Sequence, residues 1–115
     1  MQEIKNTIEY KGKSYDLVFN LNVMESIQSE YGTLEKWGAL TDGSTGEPNA
    51  RAVIYGFRAM INEGIDIRNE ESGTQEPFLS LKQVGRLITE YGLSGATKAL
   101  NETVVASTKG EEKNG

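Results

Sequence analysis

The chain has 115 residues, with 12 basic and 17 acidic side chains, and its net charge is −5 at neutral pH. It has no cysteine and no histidine, which excludes disulfides, thiolate nucleophiles, Ser-His triads and the usual zinc ligands. Its basic residues are scattered and no apolar run reaches the roughly 18 residues that span a bilayer, so neither nucleic-acid binding nor membrane insertion is expected.

Two short segments near the N-terminus alternate apolar and polar side chains, as half-buried β-strands do. They are residues 4–10 and 14–19, and Gly12 between them supplies the positive φ that a tight turn needs. Pairing Tyr10 with Lys13 places the apolar side chains of both segments on one face. Since a two-stranded ribbon is only marginally stable alone, we predict a hairpin that packs against helices.

Two helices are predicted after the hairpin. Asn20 and Asn22 are both acceptable N-caps for the first helix, which should end at Gly32. Thr33 can then cap a short second helix that turns Trp37 toward the core. As the sole tryptophan, Trp37 is either a core residue or an anchor for a partner, and the core role is favoured.

The densest apolar run lies in residues 50–64, where apolar side chains recur at helical spacing. A helix that is apolar around most of its circumference is usually buried in the middle of a domain. We predict that Gly64 ends this helix, because glycine accepts the left-handed conformation that follows many helices. Ile65 and Ile67 would then form a short extended segment, and residues 68–77 a polar loop.

A polar stripe runs along one side of this central helix. Arg51, Tyr55, Arg58 and Asn62 recur at three- and four-residue steps. Such a stripe is usually a solvated face, but arginine and tyrosine are also typical of partner surfaces. We therefore name Arg51, Tyr55 and Arg58, together with Trp37, as candidate partner-binding residues, and expect an exposed apolar groove beside the small-residue side of a helix.

Two more helices are predicted in the last third of the chain. The capping-box pattern in residues 80–83 begins one helix, which should end at Gly92, and a second covers about residues 94–107. The charged residues 109–115 are expected to form a disordered tail. The predicted fold is α+β and mainly α: one domain over residues 1–108, with an N-terminal hairpin packed on four to five helices around a buried central helix.

Two short motifs approach known ligand-binding patterns and fail. The segment Gly12-Lys13-Ser14 lacks the first glycine of a P-loop and lies between two strands. Residues 66–71 are acidic enough for a calcium loop, but Arg68 and Glu71 stand where a ligand and a glycine are required. We therefore predict no catalytic residue, no metal and no cofactor.

Three segments resemble those of the tail assembly chaperones of long-tailed bacteriophages. They are the runs 15–25 and 30–37 and the helix end Met60-Ile-Asn-Glu-Gly64, with Ile65 and Ile67 after it. The resemblance covers about residues 4–92 and includes no catalytic signature. It implies a non-enzymatic protein that holds the long helical tape measure protein soluble until tail tube subunits polymerise around it.

The resemblance also implies a location and a set of partners. Such a chaperone acts in the host cytoplasm and is absent from the mature virion. Its partner is the tape measure protein, with the tail tube protein as a second candidate, and self-association is left open. The family has no fixed site residues to transfer. The alternative is another small virion or regulatory interaction protein, such as a head–tail connector component, which would persist in purified particles.

Overall fold

The computed structural model describes residues 4–44 and 46–113. In chain order the elements are β1 Ile4–Tyr10, β2 Lys13–Phe19, α1 Leu21–Tyr31, α2 Leu34–Thr41, α3 Ala50–Ser72, α4 Leu81–Tyr91 and α5 Leu93–Lys113. One hydrophobic cluster contains buried side chains from all seven elements. The predicted α+β, mainly α class is therefore confirmed. Among the described residues no helix is long and apolar enough to cross a membrane.

The hairpin has the predicted register. Strands β1 and β2 are antiparallel, with Tyr10 opposite Lys13 and Ile8 opposite Tyr15. The turn places Lys11 and Gly12 at positive φ, 51° and 75°, which suits the right-handed twist of the paired strands. The alternation of side chains puts Ile8, Leu17 and Phe19 on the face that packs on the helices, while Val18 on the opposite face is also fully buried.

Side-chain caps begin the helices where the sequence predicted them. The Asn20 side chain accepts a hydrogen bond from the backbone N–H of Val23 at 3.2 Å, so Asn20 is the N-cap of α1 rather than Asn22. Thr33 caps α2 in the same way. Ser80 and Gln83 form the full capping box of α4, each side chain accepting from the backbone N–H of the other.

Helix α3 is longer than predicted, because it continues through Gly64 and ends only at Gly73. The prediction that Gly64 ends the helix is wrong, and it is Gly73, at φ 67°, that adopts the left-handed conformation. Ile65 and Ile67 are therefore helical rather than extended. The predicted loop over residues 68–77 is correct only after Ser72.

Gly64 lets α3 approach strand β2. A Cβ atom at this position would lie 2.5 Å from the carbonyl oxygen of Asp16, well inside van der Waals contact. One turn further on, the Arg68 guanidinium donates to the Ser14 carbonyl oxygen and pairs with the Asp16 carboxylate, both at 3.3 Å. Helix α3 thus covers this side of β2, where exposed strand groups would otherwise invite pairing with another chain.

The connection between α3 and α4 is held by two asparagines of α3. Asn62 donates to the carbonyl oxygen of Leu79 at 3.1 Å and accepts from its N–H at 2.9 Å. Asn69 likewise donates to the carbonyl oxygen of Glu76 at 3.0 Å and accepts from its N–H at 2.9 Å. Because the two asparagines are seven residues apart, they lie on one face of α3, and the extended connection follows that face.

Helix α5 begins at Leu93 and runs to Lys113, beyond the predicted end near residue 107. Its side chains Ala96 and Leu100 are buried in the core. Residues 114 and 115 of the expected disordered tail lie outside the described residues, as do the side chains of 109–113. Disorder in the tail stays a prediction.

Candidate functional site

Tyr55 of the polar stripe is bound inside the molecule. Its hydroxyl lies 2.8 Å from the Ser26 hydroxyl and donates to the Ser26 carbonyl oxygen at 3.0 Å. Its ring meets that of Tyr31 edge to face, with centroids 5.5 Å apart. Burial raises the pKa of the Tyr31 hydroxyl, and the nearby positive charge of Arg51 opposes this shift. Tyr55 therefore joins α3 to α1.

Arg58 is also engaged inside the molecule. Its Nε donates to the Leu79 carbonyl oxygen at 3.0 Å, the same oxygen that Asn62 binds. The two side chains fix the start of α4 against α3. Arg58 and Asn62, the C-terminal half of the predicted polar stripe, therefore connect α3 to the segment that precedes α4.

The four candidate partner-binding residues differ in how much of each side chain is exposed. Arg51 is exposed, Tyr55 and Arg58 are half-buried, and Trp37 is only 1% exposed. The Trp37 indole N–H donates to the Ala52 carbonyl oxygen at 2.9 Å inside the core. This placement agrees with the core role that the sequence favoured for Trp37 and leaves it no surface for a partner in this conformation.

We expect Tyr55→Phe to lower the free energy of unfolding by about 1 kcal/mol, because it removes the hydrogen bonds to Ser26 and keeps the ring contact. Urea denaturation followed by circular dichroism would measure the loss. An unchanged midpoint would show that the hydroxyl contributes nothing to the α1–α3 contact and would return Tyr55 to the candidate surface.

An apolar groove lies between α3 and α4, and we call it the α3–α4 groove. Its volume is about 370 Å³. The lining residues are Ala50, Val53, Ile54, Gly85, Ile88, Thr89 and Leu93. Thr89 contributes the only polar side chain of this set, and Leu93 is 44% exposed at one end. The groove therefore presents a mainly hydrocarbon surface to solvent.

Gly85 helps to form the groove, because a long side chain at this position of α4 would occupy part of it. A Cβ atom at Gly85 would lie 3.6 Å from the Cδ1 atom of Ile54, an ordinary contact distance. Glycine in the middle of a helix costs stability relative to alanine, which makes Gly85 unusual in the sequence, but only the pairing of α3 with α4 shows that it faces Ile54. Sequence reasoning missed the groove and looked instead to the small residues of α3.

Helix α2 covers the small-residue side of α3 around Ala52 and Gly56, whereas Ala59 on the same side lines a second cleft. A Cβ atom at Gly56 would clash with the Trp37 ring, and Ala52 is fully buried beside it. Helix α2 thus occupies this flank. Because Ile54 is two residues from both Ala52 and Gly56, it projects from a different side of α3, where the groove is open.

A second cleft, of about 250 Å³, lies between α1 and α3 beside the exposed ring of Phe78. Glu63, one of two acidic residues that line this cleft, accepts hydrogen bonds from the side-chain amides of Asn20 and Asn22 at 2.8 and 3.1 Å. These bonds join α3 to the start of α1. Across the described ranges, no cluster of three acidic, histidine or cysteine residues could hold a metal ion.

The described residues define a small, mainly helical α+β protein whose surface carries an apolar groove between two helices. Comparison of the chain with protein-family models, curated proteins and solved structures finds no match. The function proposed below therefore rests on the resemblance seen in the sequence and on the groove.

Proposed function

We propose that this protein is a tail assembly chaperone of a long-tailed bacteriophage. It binds helical segments of the tape measure protein in the host cytoplasm, keeps them soluble, and leaves before the virion is complete. It performs no catalysis. The observation that carries the proposal is the α3–α4 groove, an exposed apolar surface between two helices.

The shape of the groove suits a helix as its ligand. Amphipathic helices bind by laying their apolar face into a groove, with contacts at positions i, i+3, i+4 and i+7. The lining runs from Ala50 to Ile54 on α3 and from Gly85 to Thr89 on α4, about 6 Å along each helix at 1.5 Å per residue, and Leu93 at the start of α5 lies beyond the break at Gly92. That length matches roughly one turn of a partner helix, so each copy of the protein would engage one or two apolar side chains.

A contact of this size favours weak individual binding. The groove is much smaller than a standard protein interface, so a single contact gives little affinity. Weak contacts suit a chaperone, since tail tube subunits must displace it. Several copies bound along one tape measure chain would together cover its apolar stripe, and any link between copies would add avidity. The net charge of −5 would keep such an assembly soluble.

The experiment blocks the groove without unfolding the protein. In Gly85→Gln the new side chain occupies the groove, and its Cβ atom meets Ile54 at an ordinary distance. The matched control is Gly38→Gln in α2, where a Cβ atom would meet nothing within 4 Å. Both changes replace a helical glycine by a better helix former, so neither should lower stability.

We expect the wild type and Gly38→Gln to keep the tape measure protein of the same phage soluble on co-expression and to co-elute with it. Gly85→Gln should weaken the complex at least tenfold, because it removes the apolar docking surface. If the tape measure protein is equally soluble without this protein, the chaperone proposal is wrong. If Gly85→Gln binds as the wild type does, the groove is not the site. Presence of the protein in purified particles would favour the connector alternative.

A further inference from the structure

A polar pocket of about 230 Å³ lies between the turn of the hairpin and α4, and we call it the hairpin pocket. Its lining residues are Tyr10, Lys11, Tyr15, Leu79, Gln83 and Arg86. The hairpin contributes three of them, α4 contributes Gln83 and Arg86, and Leu79 belongs to the connection between α3 and α4. Among the described residues, the hairpin pocket shares none of its lining with the α3–α4 groove.

Two residues of the lining, Lys11 and Arg86, carry a positive charge, and no described residue of the lining carries a negative one. Within the part of the chain that the structure describes, neither cation has an ion-pair partner. The ion pairs found there belong to Arg68, which binds the carboxylates of Asp16 and Glu76. In a protein whose net charge is −5, the hairpin pocket therefore brings together two cations that no acid neutralises.

The acids closest to the pocket in the sequence lie outside its lining. Glu9 and Asp16 each stand next to a lining tyrosine in a strand, so their side chains point to the opposite face of the hairpin. Glu90 is exposed one turn after Arg86 on α4, and the two side chains form no ion pair in the described structure. The charge that a ligand would meet inside the pocket is therefore positive.

The remaining polar groups of the pocket can donate hydrogen bonds. The Oε1 atom of Gln83 accepts from the backbone N–H of the α4 N-cap at 2.8 Å, which leaves the Gln83 NH2 group as a donor. The hydroxyls of Tyr10 and Tyr15 have no hydrogen-bond partner among the described residues. The backbone N–H and carbonyl of Leu79 both bind Asn62, so Leu79 lines the pocket with hydrocarbon. Cations, donors and hydrocarbon together favour an anionic ligand with a carbon body.

We propose that the hairpin pocket binds a phosphate monoester, carried either by a small molecule or by a phosphorylated side chain of a protein. Such a group has nearly two negative charges at neutral pH and three oxygens that accept hydrogen bonds. Lys11 and Arg86 match the two charges, and a guanidinium can bind two phosphate oxygens at once. A carboxylate has one charge and two oxygens, so it would leave a cation and several donors unused.

The structure holds one of these cations in place. The Nζ atom of Lys11 lies 5.4 Å from the centroid of the Tyr10 ring, a cation–π contact that keeps the ammonium group beside the pocket. The side chain of Leu79 and the tyrosine rings are then available to contact the carbon atoms attached to the phosphate. This site is independent of the α3–α4 groove and of the function proposed for that groove.

The test is an NMR titration of the ¹⁵N-labelled full-length protein, which measures weak binding and locates it. The probes are phenyl phosphate, benzoate and a short peptide with one phosphotyrosine. Phenyl phosphate and benzoate share a ring and differ in the anionic group. We expect phenyl phosphate to bind about tenfold more tightly than benzoate and to shift the amide signals of residues 10–15 and 83–86. Equal affinities, or shifts confined to other parts of the chain, would overturn the proposal.

The peptide identifies the source of the phosphate. A peptide that binds at least about tenfold more tightly than phenyl phosphate would show that the ligand is a phosphorylated protein, because residues beside the phosphotyrosine then add contacts. Equal or weaker binding of the peptide would show that the ligand is a small phosphate ester.

Removing either lining charge should weaken the binding of phenyl phosphate by about threefold or more, as expected for an exposed charge pair. The variants are Arg86→Gln and Lys11→Asn, since asparagine tolerates the positive φ of 51° at position 11. The control Lys82→Gln removes a charge at an exposed site one turn before Arg86 on α4, outside the lining, and should keep the affinity at about 0.15 M salt. Melting curves of each variant would show that folding is retained.

The controls separate a pocket from a generally basic surface. If Lys82→Gln weakens the binding of phenyl phosphate as much as Arg86→Gln does, or if neither lining variant weakens it, the hairpin pocket is not a phosphate site. Arg86→Gln should still keep the tape measure protein soluble, because Arg86 lies outside the α3–α4 groove. The phosphate site and the chaperone function can therefore fail or hold separately.

Discussion

Replacing Trp37 by alanine is expected to lower the free energy of unfolding by about 3–5 kcal/mol, the usual loss for a buried aromatic residue. The indole ring is 1% exposed and lies against Gly56, where the helix has no side chain to fill the space that would be left. The hydrogen bond from its N–H to the Ala52 carbonyl oxygen is lost as well. Urea denaturation followed by circular dichroism would measure the change.

The control for this prediction is Trp37→Phe, which keeps an aromatic ring in the core and removes the N–H donor. It should cost less than the alanine variant, since a smaller cavity is left. A loss below 1 kcal/mol for Trp37→Ala, combined with loss of binding to the tape measure protein, would contradict the core role. It would then show that Trp37 is an anchor for the partner in a different conformation.

Local sequence signals predicted the hairpin and the helix starts correctly. The alternation of side chains and the glycine of the turn determine the register of β1 and β2, because a shift by one residue would turn core residues such as Ile8 away from the helices. The caps Asn20, Thr33 and Ser80 act on the backbone within three residues of themselves. Such features need no knowledge of the rest of the molecule.

The end of α3 could not be predicted from local signals. A glycine can end a helix, or it can stand inside a helix where another part of the chain packs closely against it. A glycine after an apolar helical run is a typical C-terminal signal, and Gly64 has that appearance in the sequence. In the fold its missing side chain serves the contact with Asp16, which is 48 residues away in the sequence. Only the packing of β2 on α3 distinguishes the two uses.

The residues of the candidate site were also difficult to predict, because their contacts are with residues far away in the sequence. Tyr55 and Arg58 lie on a polar stripe that resembles a partner surface, but their partners are Ser26 and Leu79, which helical periodicity cannot identify. The α3–α4 groove depends on Ile54 and Gly85 from two helices. Its existence follows from how those helices pair rather than from the pattern of either one.

Replacing Gly64 by alanine is expected to destabilise the protein by about 1–3 kcal/mol, even though alanine is the better helix former. The helical preference of alanine would by itself add about 1 kcal/mol of stability. The added Cβ atom would, however, lie 2.5 Å from the Asp16 carbonyl oxygen and 3.2 Å from the Asp16 Cβ atom. Backbone atoms cannot rotate away as a flexible side chain does, so α3 and β2 must separate, and overpacking of this kind outweighs the helical gain.

The matched control is Gly38→Ala in α2, because a Cβ atom at that helical position would meet nothing within 4 Å. There the helical preference acts alone, and the free energy of unfolding should rise by up to about 1 kcal/mol. Urea midpoints of the two variants should therefore move in opposite directions from that of the wild type. If Gly64→Ala is as stable as Gly38→Ala, α3 and β2 do not approach as closely as the structure has them, and the pairing of Arg68 with Asp16 would have to be re-examined by mutating both residues.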